Sequence, residues 1–143
     1  MPFGKTLTAA TYAKVILRLF TGQEVAENSV VDGTLVPLNG DGRRVLESGT
    51  VMTWVGAVGS SKVKPAAASG IVAADVAGIV MHTTEFWPAT TEADKDDASV
   101  ALYTKNCSFD STKLLGYSGN AAAVKTAMTG AGNSRCANCT FEP

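Results

Sequence analysis

Net charge is what this chain has least of. Twelve Lys and Arg stand against 13 Asp and Glu, charged residues total 17%, and the formal net charge is -1. So weak a field has no means of gathering nucleic acid or an anionic membrane surface from a distance, and neither is expected as a partner. Histidine occurs once, at His82, and the chain has no Gly-x-Ser-x-Gly elbow and no phosphate-cradling glycine loop, which removes most of the material for nucleophilic or phosphoryl-transfer catalysis. Cysteine is scarce and odd in number: Cys107, Cys136 and Cys139. They form no disulfide framework, and the N-terminus has no basic segment leading into an uninterrupted apolar one, so synthesis in a reducing cytoplasm is expected. Long apolar runs are missing too. Val15-Ile16-Leu17 is bracketed by Lys14 and Arg18, and Ile71 to Met81 is interrupted by Asp75, far from the ~20 residues a membrane helix needs. The expectation is a soluble protein.

What is present suits one small domain. The 143 residues allow a single core with extended ends, and 45% hydrophobic residues, 7% aromatics and 14 glycines favour short strands joined by tight turns, a mainly β fold. Its centre is a pair of short apolar runs, Val76 to His82 and Ser99 to Lys105, flanking a polar loop that ends at Asp97. Both are too short for globular helices and rich in β-branched or aromatic residues, so they read as two strands of one sheet.

Along the chain, Met1 to Thr11 reads as a flexible arm, discouraged from structure by Pro2 and Gly4. Tyr12 to Phe20 fits either a helix, with Tyr12, Val15, Ile16, Leu19 and Phe20 at helical spacing, or a strand, and the spacing favours the helix. Gln23 to Ser29 reads as a polar connector, Val30 to Leu38 as a strand, and Asn39-Gly40-Asp41-Gly42 as a turn. After Val45-Leu46 and a turn at Glu47-Ser48-Gly49, Thr50 to Val55 is the next strand, and Gly59-Ser60-Ser61 is a hairpin tip between Val58 and Val63. Pro65 confines its strand to an edge or ends it, and Ala66 to Gly70 is a linker. Beyond the central pair come a short helical turn capped by Asp110 or Ser111 and stopped at Gly116, a helix from Ala121 to Thr129 capped by Asn120, and a polar tail from Asn133. No repeat of 20 to 50 residues is evident. The domain limits read as an N-terminal arm or helix at 1–29, a β-rich domain at 30–132 with short helices near 110–115 and 121–129, and a C-terminal tail at 133–143.

Enzyme-like motifs are weak. Ser61-Lys62-Val63-Lys64 fits Ser-x-x-Lys, but it sits in an expected hairpin with no partner motif. His82 reads as a strand-end residue with an ordinary hydrogen bond. Asp94, Asp96 and Asp97 lack the glycine and the later glutamate of a calcium loop. No catalytic residue, cofactor or metal is assigned.

The order of segments resembles a known family. Val45-Leu46-Glu47-Ser48-Gly49-Thr50-Val51, Lys62-Val63-Lys64-Pro65, Val76-Ala77-Gly78-Ile79-Val80, an acidic loop, Val100-Ala101-Leu102-Tyr103 and Phe109-Asp110-Ser111-Thr112-Lys113-Leu114-Leu115 together look like the head decoration (capsid cement) proteins of tailed bacteriophages, the lambda-like class. The resemblance covers roughly residues 30 to 128 and implies a small β-barrel or sandwich-like domain. It further implies a homotrimer on the outside of an expanded icosahedral shell, clamping neighbouring major capsid proteins against internal DNA pressure. A soluble β-barrel binding module, or a tail or fibre component, is the alternative. Outside the matched segments, Tyr12, Val15, Ile16, Leu17, Leu19 and Phe20 carry an apolar load that a free arm should not show to water, so they are expected to contact the capsid or, as a helix, their own barrel. Trp54, Phe86 and Trp87 are candidates either for a lid on the barrel or for a subunit contact. Cys136-Ala137-Asn138-Cys139 is half of a zinc ribbon with no second pair, and reads as free thiols or an incidental disulfide rather than a zinc site, one shared across a trimer axis included.

Overall fold

The computed structural model describes residues 16–86 and 97–143. Ten strands and one α-helix are defined there: β1 Leu17–Leu19, β2 Val25–Val31, β3 Arg44–Leu46, β4 Val51–Trp54, β5 Val63–Pro65, β6 Val76–Val80, β7 Thr84–Phe86, β8 Ala98–Lys105, β9 Ser108–Asp110, α1 Ala121–Met128 and β10 Thr140–Glu142. The protein is mainly β. Five strands close into a barrel in the order β2-β5-β4-β6-β8, while β1-β9-β10 and β3-β7 form two smaller sheets. The central pair of the sequence is adjacent and antiparallel in the barrel, Ile79 facing Tyr103 and Val80 facing Leu102.

Strands β4 and β6 are buried at every position, because both of their faces are covered. Met52, Trp54, Ala77, Val80, Val100 and Leu102 fill the barrel interior with Val31, Val63 and Phe86. Val51, Val76, Ile79 and Tyr103 point the other way, into a second core with Val124, Ala127 and Met128 of α1 and with Phe109 and Leu114. Strict alternation would send Val76 and Ile79 to opposite faces. The β4–β6 register shifts between Met52, opposite Gly78, and Thr53, opposite Val76, leaving Ala77 as the extra residue, and this bulge returns Ile79 to the outer core and Val80 to the inner one.

Four expectations change. The connector Gln23 to Ser29 contains most of β2, which pairs along its whole length with β8. Its inward positions include polar Glu27 and Ser29 while Ala26 and Val30 face out, so the ladder with β8 overrides a pattern that reads as loop. The strand expected from Val30 to Leu38 ends at Val31, and Asp32 caps a 3₁₀ turn at Gly33–Leu35 through Thr34 N–H. Leu17–Leu19 is a strand antiparallel to β9, not helix; three residues gain a partner whose reach along the chain no local spacing reports. The supposed tail from Asn133 is built into the body, with β10 parallel to β9 and Cys136 and Cys139 in the outer core. The 29/30 limit therefore falls inside β2, and residues 133–143 carry β10.

Other turn chemistry follows the sequence. Asn39 Oδ1 accepts from Asp41 and Arg43 N–H, and Val55 N–H to Lys62 C=O closes the β4–β5 hairpin. Asp110 is the cap of the Ser111–Lys113 turn. Asn120 precedes α1 but makes no capping bond. Its amide instead donates to Ala67 and Gly116 C=O and accepts from Ile71 N–H, tying the small-residue linker to the helix start.

Candidate functional site

The seam where the barrel closes least completely is the most distinctive surface. β2 meets β5 only through Val31 and Val63, so Val25 to Val30 have a strand neighbour on one side alone among the described residues. Into that gap reach Trp54 from β4, Ser29 from β2 and Arg135 from the C-terminal segment, lining a groove of about 350 Å³. The Arg135 guanidinium lies 5.2 Å from the centre of the Trp54 ring. It donates to Asn28 C=O at 3.3 Å and faces Glu27 across 3.7 Å. Trp54 and Ser29 are each 8% exposed, yet Trp54 Nε1 and Ser29 Oγ have no hydrogen-bond partner, so two buried donors beside the groove are left unsatisfied. Ser29 and Arg135 escape sequence reasoning, the one read as connector and the other as tail.

A second surface is apolar. Leu19 and Phe20, 59% and 71% exposed, follow β1 and precede a turn in which Glu24 accepts from Thr21 and Gly22 N–H. Burial alone would raise the Glu24 carboxyl, but those backbone donors hold it below the usual range. Leu35, Leu38 and Leu115 are also exposed, and Leu115 lines a groove with Pro37, Val45 and Ala66.

The capsid-contact candidates divide. Ile16 is 1% exposed and sits in the outer core, its Cγ2 filling the space where a side chain at Gly49 would stand; it is not available to a partner. Leu17 is half-buried against the same core, and Leu19 and Phe20 remain open. Tyr12 and Val15 lie outside the described residues. Of the aromatic candidates, Phe86 is fully buried in the barrel interior, so the lid reading replaces the subunit contact for it. Trp54 is buried and lines the groove, and Trp87 lies outside the described residues.

The enzyme-like motifs stay apart. Ser61 Oγ accepts from Gly56 N–H and donates to Ala57 C=O, so it shapes the hairpin tip. His82 Nδ1 is buried without a partner. Asp97 pairs with Lys62 and accepts from Gly33 N–H, while Asp94 and Asp96 lie outside the described residues. Cys107, Cys136 and Cys139 are free and buried, and burial pushes the Cys136 thiol up to about 12. Among the described residues no three His, Cys, Asp or Glu side chains converge as metal ligands, and no helix is long and apolar enough to cross a membrane. No protein-family model, no curated protein and no solved structure matches the chain.

Proposed function

We propose that this chain is a phage head-decoration protein: a structural virion component that binds the outer surface of an icosahedral shell as a homotrimer and cements neighbouring major capsid proteins. The observation that carries the reading is the pairing of a small closed β-barrel with large apolar side chains left in water, Leu19, Phe20, Leu35, Leu38 and Leu115 among them. Such side chains supply affinity when covered by a partner, at roughly 25 cal/mol per Å² of apolar area. The ordered segments that resemble decoration proteins support the same conclusion, and the nearly neutral charge suits a lattice held by packing. Cosedimentation with expanded shells of the cognate major capsid protein, followed by electron cryomicroscopy, tests it. Bound density with local three-fold symmetry on the outer surface is expected; no binding to expanded shells would overturn the proposal.

A second reading, a soluble binding module, is favoured by the two unpartnered donors at Trp54 and Ser29 beside Arg135. It requires an acceptor-bearing ligand. Titrating a Trp87→Phe chain with carboxylate-bearing peptides while following Trp54 fluorescence separates the two readings, since only the module should show a saturable change.

A further inference from the structure

A five-residue pattern occurs twice in this chain, 32 positions apart, with Asn, Cys and Phe identical and Ser/Thr and Asp/Glu alike: Asn106-Cys107-Ser108-Phe109-Asp110 and Asn138-Cys139-Thr140-Phe141-Glu142. The fold lays the two copies side by side. β9 and β10 run parallel with Ser108 level with Thr140, Phe109 with Phe141 and Asp110 with Glu142. The bridge between Lys105 and Ala137 keeps the same offset at the other end. Each pair between these ends therefore stands level too. Asn106 and Asn138 both take the left-handed conformation, at φ 61 and 56, and Asn138 Nδ2 donates to Asn106 Oδ1 at 2.9 Å. Phe109 and Phe141 stack with centroids 5.2 Å apart.

Between the paired asparagines and the paired phenylalanines lie Cys107 and Cys139. Thr140 N–H donates to Cys107 C=O at 2.9 Å, which holds the two strands at hydrogen-bonding separation beside the thiols. Neighbouring strands lie about 4.8 Å apart, inside the 4.4–6.8 Å Cα range of disulfides. Cys136 stands by the same offset across from Thr104, not from a cysteine, and its N–H is held by Asn133 Oδ1. We propose that Cys107 and Cys139 are a cross-strand disulfide site that closes when the chain meets an oxidising environment, fastening β10 to β9.

A hydrogen bond from the Cys107 side chain holds the Cys139 thiol below its ordinary range, and the same bond, with burial, pushes Cys107 up. Cys139 is thus the first nucleophile. With a small-molecule disulfide as oxidant, the Cys139 thiolate attacks one oxidant sulfur and expels one small thiolate. Cys107 then gives its proton to that thiolate and attacks the Cys139 sulfur, releasing the second small thiolate, which takes from water the proton that Cys139 lost on ionising. Two electrons pass from the protein to the oxidant, leaving one protein S–S bond and two reduced small thiols. The groove that Cys107 lines with Leu19, Thr21, Asn138 and Thr140 opens on the second thiol, and access to Cys139 comes through opening of β10, a three-residue edge strand whose only strand partner is β9.

The test oxidises the folded, full-length chain with oxidised glutathione, alkylates the remaining thiols and maps tryptic peptides. Cleavage after Lys105, Lys113 and Arg135 places Cys107 alone on one peptide and both other cysteines on another. The expected product joins the two peptides, with one alkylated cysteine left, and persists in Cys136→Ser. The oxidised protein should melt roughly 5–10 °C higher, and reduction should reverse the shift. A Cys136–Cys139 link within one peptide, a link that disappears in Cys136→Ser, or three alkylatable thiols after native oxidation would each overturn the proposal.

Discussion

At Gly78 the backbone has φ 144, and a Cβ there would lie 2.8 Å from Tyr103 C=O and 2.9 Å from Leu102 Cβ. Gly78→Ala should cost about 2–4 kcal/mol, combining conformational strain with overpacking. Gly40→Ala, which meets open space, should change stability by less than about 0.5 kcal/mol. Urea midpoints at constant slope check the contrast. Asp110 offers a pH-dependent case. The Thr112 hydroxyl first, then Thr112 N–H, Lys113 and Arg18, hold its carboxyl below the ordinary range. A depressed carboxyl favours the folded state above its unfolded pKa and loses that contribution as pH falls through the folded value. Asp110→Asn should therefore melt below the parent at pH 7, with the gap narrowing at acid pH below about 4. A gap that widens on acidification would contradict the sign.

At the scale of elements, β1 decides what the N-terminal segment is. Its pairing with β9 and the burial of Ile16 make residues 16 to 19 part of the body rather than of an arm. A chain beginning at Thr21 should be less stable than one beginning at Ile16 by at least about 3 kcal/mol, the usual loss for a large buried aliphatic side chain together with its strand. Chemical denaturation of the two chains provides the comparison; equal stability would mean that β1 is dispensable. The parallel pair β9 and β10 makes the same point at the other end, since Phe141 stacks on both Phe109 and Tyr117 at 5.2 Å.

For the whole molecule, the net charge of -1 sets an expectation about how it would be held on a shell under the proposed function. If apolar packing and strand pairing dominate, occupancy measured by cosedimentation should change less than about two-fold between 50 and 500 mM salt. A steep loss over that range would point to ion pairing instead. Sedimentation of the free protein reports whether the proposed trimer exists before any binding; a monomer leaves trimerisation to the proposed lattice.

Local chemistry in the sequence determined the mainly β class, the β6–β8 pair, the β4–β5 hairpin, the Asn39 turn and α1, because each depends on neighbours within a few residues: alternation, turn-forming Asn, Asp and Gly, or helix-favouring Ala and Lys. The doubled Asn-Cys-Ser/Thr-Phe-Asp/Glu segment was also legible, as three identical and two similar residues 32 positions apart; a search for whole structural repeats passes over so short a unit. Tertiary structure alone decided β1, β2 and β10. Leu17–Leu19 and Thr140–Glu142 become strands only by flanking β9, and β2 turns Glu27 inward because Thr104 of β8 on one side and Arg135 on the other supply partners that its own sequence does not contain. The groove at Trp54 has the same origin: its three principal side chains come from residues 29, 54 and 135, brought together by barrel closure and by a C-terminal segment whose burial no local pattern encodes.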